Sequence, residues 1–106
     1  MIRNVRIPSW LSSLLREAIF DFLGSTHCVE IFFFGSITRT AADQNGDVDI
    51  LVIYEEGALK LAHAFCSHLR SLTTHPPLDV IALSRQEERE TSFVAIVGAK
   101  RFWPPP

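Results

Sequence analysis

The sequence predicts a small α/β (α+β) domain, a short mixed central sheet with flanking helices. Three observations carry this. Two segments place apolar residues at helical spacing, three short runs are rich in β-branched and aromatic residues, and the composition is that of an ordinary globular chain, 47% hydrophobic and 21% charged. A length of 106 residues suits one core. The domain is expected to span residues 1–103, with a proline tail at 104–106.

The elements follow in order. PSWLSSLLREAIFDFL (8–23) carries Leu11, Leu14, Leu15, Ala18, Ile19, Phe22 and Leu23 on one stripe, with Ser9 as N-cap and Gly24 as the stop. VEIFFF (29–34) reads as a strand buried on both faces and runs into Gly35-Ser36. TAADQNG (40–46) is a polar turn, and DVDILVI (47–53) is the second strand. The stripe of Leu59, Leu61, Ala62, Phe65, Cys66, Leu69 and Leu72 predicts a helix over 58–72. Pro76 and Pro77 forbid helix in the next connection, and LDVIAL (78–83) is the third strand. Ser84 and Glu87 have capping-box spacing for a last helix that carries Phe93, Ile96 and Val97 inward and closes at Gly98. RQEERE (85–90) is expected to be its solvated first turn. FWPPP should form an exposed end, apolar and then rigid.

The bulk numbers exclude several classes. A net charge of −2 and a pI near 6.0 leave no broad basic surface, so direct nucleic-acid binding is not expected. Cys28 and Cys66 read as free thiols without disulfide or zinc spacing. The N-terminal MIRNVRIPSW lacks a signal-peptide core, and no apolar run approaches the ~20 residues of a membrane helix. The expectation is a soluble protein of a reducing cytoplasm. His63 and His68 are five apart on a helix and share no face, so they suggest no metal site.

The chemistry concentrates in FGSITRTAADQNGDVDIL (34–51). Alternate strand residues share a face, so Asp47 and Asp49 point the same way, about 7 Å apart. Val48, Ile50 and Val52 point into a core. Paired carboxylates repel, and a hard divalent cation converts that cost into affinity. Gly35 can take backbone angles closed to other residues and lets a ligand approach the chain. Ser36 could begin a short helix, 36–41, whose N–H groups and hydroxyl face a phosphate, with Arg39 adding charge-assisted contacts. If the third strand neighbours the second, Asp79 joins the pair. Three acids around one or two metals then suit in-line phosphoryl or nucleotidyl transfer.

These residues resemble the signature of the DNA polymerase beta-like nucleotidyltransferase superfamily: an apolar strand, Gly-Ser, a spacer, then acid-hydrophobic-acid, and a third acid on a later strand. Gly35, Ser36, Asp47, Asp49 and Asp79 match in order. The length resembles the minimal nucleotidyltransferases. The resemblance implies the nucleotidyltransferase fold and transfer of a nucleoside monophosphate, usually AMP from ATP, to a hydroxyl. It implies two Mg²⁺ ions on Asp47 and Asp49. It also implies that Asp79 holds one metal and helps deprotonate the acceptor, and that Gly35 and Ser36 hold the triphosphate. Minimal members pair with small helical HEPN proteins as antitoxins of toxin–antitoxin systems, and some adenylylate a tyrosine of that partner. The acceptor is accordingly expected on another protein, docked with help from Phe102-Trp103. Where many minimal members read Ser-Arg-Ala-Arg-Gly, this chain reads SITRT. Arg39 matches the second arginine, Ile37 replaces the first, and Thr40 replaces the glycine.

Bland readings stand beside these. A lone Asp-x-Asp is commonly a solvated strand edge, and Gly-Ser after a strand is usually a turn. Asp79 could be an ion-pair partner, and Arg39 a solvated side chain. A second function class also stays open: the same fold as a catalytically weak or inactive module that neutralises its partner by contact. Self-association and the choice of NTP base are open as well.

Overall fold

The computed structural model describes residues 7–24, 28–35 and 47–105. Helix α1 (Ser9–Phe22) buries Leu11, Leu15, Ala18 and Ile19, the expected stripe. Its N-cap is Pro8, not Ser9, with no side-chain cap. The proline fixes the entry angle, and its carbonyl accepts from the N–H groups of Leu11 and Ser12. Gly24, at φ +56°, closes the helix by donating to the Ile19 carbonyl at 3.0 Å.

Strand β1 (Val29–Phe34) has the expected bounds, and β2 (Val48–Tyr54) starts one residue later than expected. Helix α2 (Leu59–Ser71) buries Ala62, Phe65, Cys66 and Leu69 and leaves Leu59 exposed. It carries the chain across to β3 (Leu78–Ser84), which lies parallel to β2. Helices α3 (Arg85–Thr91) and α4 (Phe93–Val97) follow, then β4 (Lys100–Trp103). The sheet order is β3-β2-β1-β4, with β1 antiparallel to both neighbours. This is the expected α+β fold with a mixed central sheet, which has four strands where three were expected.

Each face of the sheet has its own apolar cluster. The larger packs Ile31, Phe33, Ile50, Val52 and Val80 against α1 and α2. The smaller, on the other face, joins Phe32, Leu51 and Ile53 to Leu83, Phe93, Val94 and Ala99. Both central strands are therefore apolar on both sides, which accounts for the unbroken Phe32–Phe34 run.

Three expectations are corrected. The final helix is not continuous. The Ser84–Glu87 capping box forms, but Ser92, at φ +54°, breaks the segment into α3 and α4. The break turns Phe93 and Val94 inward and leaves Ile96 75% exposed instead of buried. The Arg85–Glu90 turn is not wholly solvated, because Arg85 bonds Glu30 and Glu55. The Phe102-Trp103 end is not a free docking end. It forms β4 on β1, with Ile31 opposite Trp103, and Phe102 meets Phe33 edge-on at 5.5 Å. Both aromatic side chains pack against the larger core.

Candidate active site

Alternation sends Val48, Ile50 and Val52 of β2 into the larger core. Asp49, Leu51 and Ile53 therefore share the opposite face. On β3, Leu78 and Val80 join the larger core, which puts Asp79, Ile81 and Leu83 on the face of Asp49. On β1, Phe32 and Phe34 point the same way. Register completes the row: Phe34 pairs with Asp49, and Asp49 with Asp79. Phe34, Asp49 and Asp79 thus stand side by side across three strands, each about 4.8 Å from the next. The condition set from sequence, that the third strand neighbour the second, is met.

Gly35 ends β1 directly beside Asp49. Its φ is +77°, and a Cβ built on it would fall on Asp49 Oδ2, with Asp49 Cγ at 3.1 Å. The missing side chain at Gly35 makes room for the carboxylate of Asp49, so the group that approaches the chain here is the protein's own acid. Asp49 is half-buried and Asp79 exposed. Asp47, expected inside the strand, stands immediately ahead of it and is exposed. The neighbouring Val48 N–H donates to the Pro77 carbonyl at 3.1 Å, which fixes where β2 meets β3.

Among the described residues, no group of three or more His, Cys, Asp or Glu side chains is arranged to hold a metal ion. The geometry brings Asp49 and Asp79 into register and leaves Asp47 two residues ahead of Asp49, just outside β2. The donor chemistry, carboxylate oxygen throughout, suits a hard cation such as Mg²⁺. Ser36, Arg39, Ile37 and Thr40, with the expected helix 36–41 and turn 40–46, lie outside the described residues. Two surface hollows occur elsewhere. One of about 320 Å³ is lined by Glu30, Arg85, Arg89 and Val94, and one of about 380 Å³ by His63, Cys66, Ser67 and Arg70. Neither is lined by Asp49 or Asp79.

The sequence profile of the nucleotidyltransferase domain family matches residues 13–99. The chain belongs to the nucleotidyltransferase domain family. The matched span contains Gly35, Ser36, Arg39 and all three acids, and it ends just ahead of β4. The chain is also similar to a stretch of nuclear pore complex protein NUP205 of Arabidopsis thaliana, 29% identical over 111 residues. That match covers 89% of this chain and 6% of the relative, so the chain spans a small part of the curated protein it resembles. Among the described residues, no helix of this nucleotidyltransferase domain is long and apolar enough to cross a membrane.

Sequence reasoning found the acids and Gly35 but assigned the apolar residues around them to the core alone. Phe34 is in the acid row, and its ring meets Phe93 edge-on at 5.4 Å. Ile81 follows Asp79 on the same face. The signal for Ile81 was present in LDVIAL, where alternation puts it on the acid side once Asp79 is placed there.

Proposed function

We propose that this chain is a Mg²⁺-dependent nucleotidyltransferase that moves a nucleoside monophosphate, AMP from ATP, to a hydroxyl on a partner protein. The observation that carries the reading is the register of Asp49 with Asp79 beside Gly35, in a chain of the nucleotidyltransferase family. Asp47, Asp49 and Asp79 would hold the metal, and Gly35, Ser36 and Arg39 would face the triphosphate. Bound Mg²⁺ would neutralise phosphate charge and polarise the phosphoryl oxygens.

The residues then divide the work. Asp49, set against Gly35 and half-buried, is the inner carboxylate. Asp79 is exposed on an edge strand, where an acceptor from outside can reach it. It takes the proton as the acceptor oxygen bonds to the α-phosphorus. The bond from that phosphorus to the bridging oxygen breaks, and pyrophosphate leaves with the electron pair. The resemblance to minimal nucleotidyltransferases supports a small helical HEPN-type protein as acceptor, with this chain as its antitoxin. The two free cysteines suit a reducing cytoplasm.

Calorimetry of ATP binding, with and without Mg²⁺, tests this on the wild type, Asp49→Asn and Asp79→Asn. Wild-type binding should need Mg²⁺ and weaken at least tenfold in Asp49→Asn. Asp79→Asn should bind more tightly than Asp49→Asn yet fail to transfer label from α-labelled ATP to a co-purified partner. Absence of Mg²⁺-dependent binding in the wild type would overturn the nucleotide reading.

A second reading has its own support. Ile37 and Thr40 replace an arginine and a glycine of the minimal members. Both replacements favour a module that acts by contact. Such a module would protect against its partner in cells even as Asp47→Asn/Asp49→Asn, whereas the enzyme would not.

A further inference from the structure

Among the described residues, one apolar side chain stands exposed on the acid face of the sheet. Phe32, Leu51 and Ile53 are buried under α4 and its flanks, and Phe34 is half-buried against the Phe93 ring. Ile81, the next neighbour of Leu51 on β3, remains 36% exposed, although Leu51 beside it is 0% exposed. The other large apolar side chains that stand exposed among the described residues, Trp10, Phe20, Leu59 and Ile96, are all on helices. Ile81 alone among them is on the sheet, two residues beyond Asp79 on the same face and about 7 Å from it along the strand.

A single exposed isoleucine on an edge strand is ordinary. Its position is what points to a ligand. In a magnesium-bound nucleoside triphosphate the phosphates would be held at the carboxylates through the metal, while the sugar and the flat apolar face of the base follow immediately from the α-phosphate. A ligand whose phosphates are held at Asp49 and Asp79 meets Phe34 across the strands, half-buried against Phe93, and Ile81 along β3, exposed. Resting on the nucleotide reading above, we infer that Ile81 is the seat of the nucleobase, packing its side chain against the face of the ring. Such a contact makes no hydrogen bond to the base edge. It therefore favours large rings over small ones and discriminates weakly between adenine and guanine.

The test is calorimetry of MgATP, MgGTP, MgCTP and magnesium tripolyphosphate on the wild type, Ile81→Ala and Ile81→Phe. Ile81→Ala should bind MgATP and MgGTP roughly three- to fivefold more weakly, the scale of losing part of one apolar side-chain contact. It should bind tripolyphosphate as the wild type does. Ile81→Phe should bind both purine nucleotides more tightly, with MgCTP gaining less. Equal weakening of ATP and tripolyphosphate would overturn the inference, because Ile81 would then shape the acid row and not hold the base. Unchanged ATP binding in both variants would overturn it too and would leave Ile81 to the acceptor. A wild type that binds tripolyphosphate as tightly as ATP removes the base seat but keeps the phosphate site. A wild type that binds neither removes both.

Discussion

Gly35 shows what a single missing side chain can do. At φ +77° any L-residue with a Cβ is strained by roughly 1–2 kcal/mol, and here the Cβ would also collide with the carboxylate of Asp49. Gly35→Ala should therefore destabilise the fold by about 1–3 kcal/mol in urea denaturation and displace Asp49. In calorimetry it should reduce Mg²⁺-dependent ATP binding as far as Asp49→Asn does. Alanine with full stability and full binding would show that the carboxylate does not depend on the glycine. The residue type was legible in the sequence, since Gly at a strand end before a polar loop signals unusual backbone angles. Its neighbour was not, because the contact joins β1 to β2 across the register of Phe34 with Asp49.

Elements were legible where a local pattern decides them. Helices α1 and α2 follow their stripes, β1 has its expected bounds, and the capping box fixes the start of α3. The misses have long-range causes. The break at Ser92 has no proline or glycine to announce it, and it serves packing by turning Phe93 onto Phe34 and Val94 onto the sheet. Strand β4 is four residues long and carries Lys100 and Arg101, so it is defined by its pairing with β1 and not by a local pattern. What holds α3 in place is likewise a distant contact. Arg85 donates to Glu30 Oε1 at 2.7 Å and, through Nη2 and Nε, to Glu55 Oε2 at 3.0 and 3.1 Å. Partial burial of the guanidinium favours its neutral form, but the two carboxylates outweigh burial and move its pKa up. Arg85→Ala should cost about 1–2 kcal/mol in urea denaturation, between the values of surface and buried pairs. Arg85→Lys should recover only part, because one ammonium cannot reproduce a planar fork shared by two acids. An unchanged midpoint in Arg85→Ala would mean that the capping box and Phe93 alone fix α3.

At the scale of the whole molecule, the sequence contained the acid face but not the strand order that assembles it. No periodicity tells β2 to lie between β1 and β3, and only that order puts Asp49 in register with Asp79 and next to Phe34. The same assembly buries Cys66 between α2 and the sheet, where it is 2% exposed. Burial disfavours the thiolate and pushes the Cys66 pKa up, and Arg70 only partly opposes this. In the unfolded chain the thiol titrates near its ordinary value of about 8.5. Between that value and the higher folded one, the unfolded state binds fewer protons than the folded state, so stability falls as pH rises. The contribution is fully present below about pH 8 and is lost as pH climbs through the folded pKa. Tyr54 is shifted up chiefly by burial, with help from Glu87 and Glu56, and adds to the loss in the same sense at still higher pH. The wild type should therefore lose Tm steadily from pH 8 to pH 10. Cys66→Ala should start lower at pH 7, by the cost of the small cavity, and lose less over the same interval. Parallel Tm curves for the two proteins would show that the thiol stays neutral throughout and that alkaline loss comes from other groups.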